Sequence, residues 1–114
     1  MSHSGKERKT LAPNPSPFGT VVDIVELVKK FKIRNNLGLH ARAAASIVKL
    51  AGHYNARLFL RKEDQEVDGS SILSILTLSC PRGTEIQARA IGEDSEELLD
   101  KLSLLFEKRF GERK

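Results

Sequence analysis

At 114 residues the chain suits one domain with one modest core, leaving no room for a second domain or a large buried cofactor pocket. A net charge of +4 and a pI near 9.4 would attract acidic partners or nucleic acid, but there is no tryptophan, one tyrosine and no basic-aromatic interleaving, which argues against nucleic-acid binding. One cysteine, Cys80, forms no intrachain disulfide, and no apolar run approaches the roughly 18 residues of a membrane span, so a soluble, cytoplasmic protein without membrane insertion is expected.

Residues 1–19 read as a flexible N-terminal extension, because Pro13, Pro15 and Pro17 alternate with polar residues and favour extended, unpaired backbone. Residues 20–28 are apolar enough for either an early strand or a packed arm, and the pattern does not choose. From Lys29 the period sharpens. Phe31 and Ile33 alternate with Lys30, Lys32 and Arg34, as in a half-buried strand. Asn35-Asn36-Leu37-Gly38 breaks that strand with turn chemistry. Beyond His40 the period changes to a helical one, with Ala44, Ile47, Val48 and Ala51 on one face and Gly52 as the stop.

A second strand follows in Ala56, Leu58 and Leu60, then a polar turn and a short strand from Gln65 to Asp68. Ser70 to Ser79 reads as a second, shorter helix, with Cys80 a small apolar filler at its end. Pro81-Arg82-Gly83 is a turn, and Ile86, Ala88 and Ala90 alternate in a fourth strand. Asp94 with Glu97 resembles a capping box, opening a helix whose stripe is Leu98, Leu102, Leu105 and Phe106. The order strand, helix, strand, strand, helix, strand, helix points to an α+β open-faced sandwich: a four-stranded antiparallel sheet with three helices on one face.

The chemistry lies at the seam between the first strand and helix. If the helix starts at Ala41, His40 is its N-cap or the neighbouring residue. The first turn of a helix has amides without internal partners and is electropositive, so a phosphate placed there finds donors. Arg42 adds a planar guanidinium that pairs with phosphate oxygens. A large fraction of imidazole is uncharged near neutral pH and so able to attack as a nucleophile, and the small Ala41 and Ala43 leave the approach open. The plainer account is a histidine that only caps the junction. His3 lies in the extension. His53 lies thirteen residues from His40, roughly 20 Å along a helix axis, so no shared metal site is expected.

Gly38-Leu39-His40-Ala41-Arg42-Ala43-Ala44 resembles the active-site motif of HPr, the histidine-containing phosphocarrier of the bacterial phosphoenolpyruvate-dependent phosphotransferase system. Gly69-Ser70-Ser71-Ile72-Leu73-Ser74-Ile75-Leu76 is similar to that family's regulatory-serine segment, and Arg82-Gly83-Thr84-Glu85-Ile86 to its turn into the last strand. The likeness covers residues 29–112. It implies the family's βαββαβα fold and a phosphoryl group accepted on His40 Nδ1 from enzyme I, then passed to sugar-specific IIA components. It also implies that Arg42 steadies the phosphate, that Asn36 steadies the imidazole, and that Gly38, Ala41 and Ala43 support the site. Ser71 would be the substrate of an HPr kinase/phosphorylase, and Ile72, Leu73 and Leu76 the apolar patch on which partners land. No cofactor is implied, and a monomer is expected. Two departures stand out: Ala43 occupies a position where the family often has proline, and Ser70 replaces the basic residue usual before the regulatory serine.

The leading expectation is therefore a phosphocarrier, not an enzyme acting on a free small molecule. The runner-up is a mainly regulatory relative, serving nitrogen or carbon signalling through Ser71. An RNA-binding module would need stacking aromatics on the open sheet face, where Phe59 is the sole obvious candidate.

Overall fold

The computed structural model describes residues 7–10, as backbone, and 25–112. The strands are β1 (Glu7–Thr10), β2 (Val25–Lys32), β3 (Arg57–Lys62), β4 (Gln65–Asp68) and β5 (Glu85–Ile91). The helices are α1 (Ala41–Ala51), α2 (Ile72–Leu76) and α3 (Ser95–Glu107), followed by a 3-10 turn at Arg109–Gly111. The four expected strands form an antiparallel sheet in the order β2-β5-β3-β4, and the three helices cover one face. A fifth strand was not expected. β1 pairs antiparallel with β2, Glu7 opposite Val28 and Thr10 opposite Val25, so residues 7–10 are not the unpaired extension their sequence suggested. The rest of that extension, and residues 20–24, lie outside the described residues. Residues 25–28 belong to β2, which starts before Lys29 because Leu27 continues the inward register of Phe31 and Ile33.

The core forms where the inward faces of β2, β3 and β5 meet α1, α2 and α3. Ile33, Ile47, Leu60, Ile75, Leu98 and Leu102 are fully buried, each worth about 1.5–3 kcal/mol relative to exposure. Phe106 of α3 stacks on Phe31 of β2 at 4.6 Å and meets Phe110 edge-on at 5.0 Å, which fixes the end of the chain against the first half of the domain. Cys80 is buried as expected, and burial pushes its thiol up.

The local details differ at three points. Only Ile72–Leu76 of the second helix candidate is helical, with Ser71 and Thr77 as caps, and Lys62 Nζ donates to the carbonyls of Leu78 and Ser79 beyond it. Gly52 does end α1, but at φ −68 it does not use the left-handed freedom of glycine. Asp94 is the N-cap residue of α3 without a side-chain capping bond. Its Oδ2 instead accepts the Asn55 N–H at 2.6 Å, tying the loop after α1 to the start of α3.

On the open face Arg89 reaches both Oε atoms of Glu66, at 3.0 and 2.8 Å, and Glu26 at 3.3 Å. Its guanidinium lies 4.5 Å from the Phe59 ring centroid, and that of Arg57 lies 5.0 Å away. The aromatic that a base would need for stacking is already engaged by two cations. Among the described residues no helix is long and apolar enough to cross a membrane.

Candidate phosphoryl-transfer site

A glycine turn and one backbone hydrogen bond place the histidine. Gly38 has φ +69, and a Cβ there would stand 2.4 Å from the Cys80 carbonyl oxygen, so only glycine fits. That carbonyl accepts the Leu39 N–H at 2.8 Å, and Leu39 is buried beside it. The strand-to-helix connection is thereby clamped to the segment after α2. Immediately beyond, His40 is the N-cap of α1, with extended backbone (φ −81, ψ 179) and its carbonyl accepting from Ala44 N–H at 2.8 Å.

The ring is held from both sides. His40 Nδ1 accepts the Arg42 backbone N–H at 3.2 Å, and Nε2 lies 3.0 Å from Glu112 Oε2. An amide N–H can only donate, so Nδ1 presents its lone pair to the helix opening. A carboxylate can only accept, so Nε2 carries the proton. The side chain is 22% exposed, at the surface and not in the core, while that of Glu112 is 7% exposed beneath it.

Glu112 is the residue that sequence reading missed. Burial alone would raise its carboxyl, but hydrogen bonds from Asn35 Nδ2 (2.6 Å), the Leu37 amide (3.3 Å) and His40 outweigh that and hold it below the usual carboxylate range. Asn35 is fully buried and spends both amide protons, the second on the Gly38 carbonyl at 2.6 Å. Its Oδ1 has no hydrogen-bond partner, a cost of about 1–3 kcal/mol. Turning the amide over would set that oxygen against two acceptors, so the orientation is fixed by what it holds.

Asn36, expected to steady the imidazole, instead faces solvent and accepts from Arg82 Nη1 at 2.7 Å. The link from this turn to the ring runs through Asn35 and Glu112. Period-two alternation carried the signal, since Phe31, Ile33 and Asn35 point inward and Asn36 therefore outward. Nothing local in sequence marked Glu112, seventy-two residues from His40.

The remaining candidates lie on the first turn of α1 and on α2. Ala41 and Arg42 are exposed on the first turn of α1, and Ala43 is fully buried against the core. Ser71 is the half-buried N-cap of α2, its hydroxyl accepting the Ser74 N–H at 3.2 Å. Ile75 alone of the helix is fully buried. Leu73 is 77% and Ile72 37% exposed, with Leu76 half-buried. Leu37, beside the site, is 65% exposed. No cluster of metal-ligating groups occurs among the described residues.

The site thus combines a ring lone pair facing the electropositive start of a helix, an exposed arginine on the first turn and apolar side chains open to solvent. Residues 27–108 match the family described as PTS HPr component phosphorylation site. The phosphocarrier protein HPr of Xylella fastidiosa strain Temecula1 is 37% identical over 86 residues, covering 75% of this chain and 97% of that protein. The HPr-like protein Crh of Bacillus subtilis is 37% identical over 75 residues, 66% of this chain and 88% of its own. The crystal structure of HPr-C-His from Thermoanaerobacter tengcongensis superposes with a TM-score of 0.73 at 33% identity, covering 76% of this chain and 98% of that one. The chain belongs to the HPr family. It functions as a phosphocarrier that accepts and relays a phosphoryl group, and not as an enzyme acting on a free metabolite.

Proposed function

We propose that the phosphoryl group travels through His40 Nδ1, from enzyme I of the phosphoenolpyruvate-dependent system to a histidine of a IIA component, in the cytoplasm and with the carrier as a monomer. The observation that carries this reading is the pair of contacts on the ring, Nδ1 toward the α1 amides and Nε2 on Glu112. The Nδ1 lone pair attacks phosphorus, and the donor's nitrogen leaves with the electrons of the broken P–N bond. The proton on Nε2 stays in place, so the ring becomes a phosphorylated imidazolium facing the Glu112 carboxylate. The transferred oxygens take over the first-turn amides and come within reach of the Arg42 guanidinium, whose fork suits phosphate. Onward transfer reverses each step. Ile72, Leu73 and Leu76 supply the apolar landing surface, because a partner that reaches a ring at the protein surface must bury apolar area around it.

Incubation with enzyme I and phosphoenolpyruvate gives one acid-labile phosphate per chain, and His40→Ala removes it. Label persisting in that variant refutes the assignment.

A second reading, control through Ser71, is favoured by the position of that hydroxyl at the head of α2, next to exposed Ile72 and Leu73. A phosphate there would add charge at the edge of the landing surface. An HPr kinase/phosphorylase with ATP then gives an acid-stable phosphate that Ser71→Ala abolishes. No labelling of the unaltered chain overturns this second route alone.

A further inference from the structure

We propose that the concavity lined by Lys32, Ile33, Arg34, Arg82, Gly83 and Arg109 is a binding site for a small polyanion carrying two linked phosphoryl groups. This site is separate from the phosphohistidine and does not depend on its role. Four cationic side chains converge on it from three remote parts of the chain: Lys32 and Arg34 at the end of β2, Arg82 in the turn before β5, and Arg109 in the turn after α3. All four are exposed around a floor made by buried Ile33. No carboxylate lines the concavity, and among the described residues no ion pair engages Lys32, Arg34 or Arg109. Two acidic residues lie close by but outside the lining: Glu85, opposite Lys32 in the β2–β5 register, and Glu107, which shares an adjoining concavity with Lys32 and Arg34.

Bringing four like charges together works against folding unless something shares the space. Three guanidiniums favour phosphate over carboxylate spread across a protein surface, because each offers two parallel donors to a tetrahedral anion. The volume, about 560 Å³, is that of a small-molecule site and larger than one orthophosphate needs. The backbone beneath these side chains is pinned. Gly83 N–H donates to the Ile33 carbonyl at 2.8 Å, Ile33 N–H donates to that of Thr84 at 2.8 Å, and Arg109 is anchored by its buried neighbour Phe110. Arg82 currently donates to Asn36 Oδ1, so it is the one cation that must change partner when the anion enters.

The test is titration of the ¹⁵N-labelled full chain with inorganic pyrophosphate, followed by amide shifts at constant ionic strength, with orthophosphate, ADP and a glutamate-rich peptide as parallel arms. Saturable shifts at Arg34, Arg82, Gly83 and Arg109 are expected, with pyrophosphate at least 10-fold tighter than orthophosphate. Binding in the ADP arm as well assigns the diphosphate of a nucleotide as a source; binding of pyrophosphate alone assigns the inorganic anion. Arg34→Gln and Arg109→Gln, each checked for an unchanged spectrum elsewhere, should weaken binding about 10-fold, and His40→Ala should leave it unaltered. Shifts confined to His40 and Arg42, non-saturating shifts, binding of the acidic peptide alone, or unchanged affinity in both arginine variants would each overturn the proposal.

Discussion

Replacing Gly38 by alanine isolates how the fold delivers the ring, and Gly83→Ala is its matched control. Both glycines have positive φ, +69 and +94, so either substitution forces an L-residue into the left-handed region at about 1–2 kcal/mol. The surroundings differ. A Cβ on Gly83 meets nothing within 4 Å, whereas one on Gly38 stands 2.4 Å from Cys80 O and 2.9 Å from Pro81 Cα. Both obstacles are backbone and cannot swing aside, so the 35–40 turn must part from the 80–81 segment. That separation breaks the Leu39 N–H bond to Cys80 O, worth about 1 kcal/mol, and exposes part of Leu39. The totals are about 3 kcal/mol for Gly38→Ala and about 1 kcal/mol for Gly83→Ala. With a urea slope of about 1 kcal/mol per M, the midpoints drop by about 3 M and 1 M. Because His40 follows two residues later, Gly38→Ala should also slow phosphorylation by enzyme I in whatever fraction stays folded, and Gly83→Ala should not. Equal midpoints for the two variants would refute the claim that the Cys80 carbonyl sets the position of the seam.

Three further outcomes are expected. Arg42→Glu, on the exposed first turn of α1, should leave the unfolding free energy from urea titration within about 0.5 kcal/mol of the parent while slowing phosphotransfer at least 10-fold by rapid quench; unaltered rates would make Arg42 a bystander. Glu112 has a folded-state carboxyl lowered by its hydrogen bonds, so its contribution is present above the ordinary glutamate value of about 4.3 and is lost as pH falls through the lower folded value; the parent should therefore lose stability toward Glu112→Gln below about pH 4.3, and parallel pH curves of the two midpoints would contradict this. Leu73→Ala, at 77% exposure, should barely move stability but weaken binding to enzyme I by calorimetry, whereas Ile75→Ala, fully buried, should cost about 2–5 kcal/mol; the reverse pattern would mean the landing surface lies elsewhere.

The sequence made legible whatever is periodic. Phe31 and Ile33, Leu58 and Leu60, and Ile86, Ala88 and Ala90 point inward as alternation requires, and α1 begins at Ala41 beside the capping histidine. What escaped was set by distant pairing. Backbone pairing of Glu7–Thr10 with Val25–Val28 depends on an open sheet edge, which no composition rule reveals. Asp94 resembled a cap, but an amide from the α1–β3 loop competes for its carboxylate. At the site, His40 and Arg42 stood out because they sit on a boundary between two periods. Glu112 did not, since its placement depends on Phe110 entering the core and the chain turning back behind it.

That turn explains why the end of the chain belongs to the site at all. Arg109 and Phe110 both adopt positive φ, 54 and 55, at about 1–2 kcal/mol each, and neither is glycine. Burial of Phe110, edge-on to Phe106, offsets about 2 kcal/mol of this. The turn also delivers a carboxylate that accepts from Asn35, Leu37 and His40 together. For a carrier the placement has a kinetic logic. Under the proposed route the ring gains a positive charge on accepting phosphate, and a carboxylate 3.0 Å from Nε2 stabilises that state. Under that same route, phosphate on the other nitrogen would face the first-turn amides and the exposed Arg42. On this route the charged ring would be supported from within the protein while the phosphoryl group would face the solvent side, where a partner has to reach it. An enclosed pocket would have favoured loading at the expense of release.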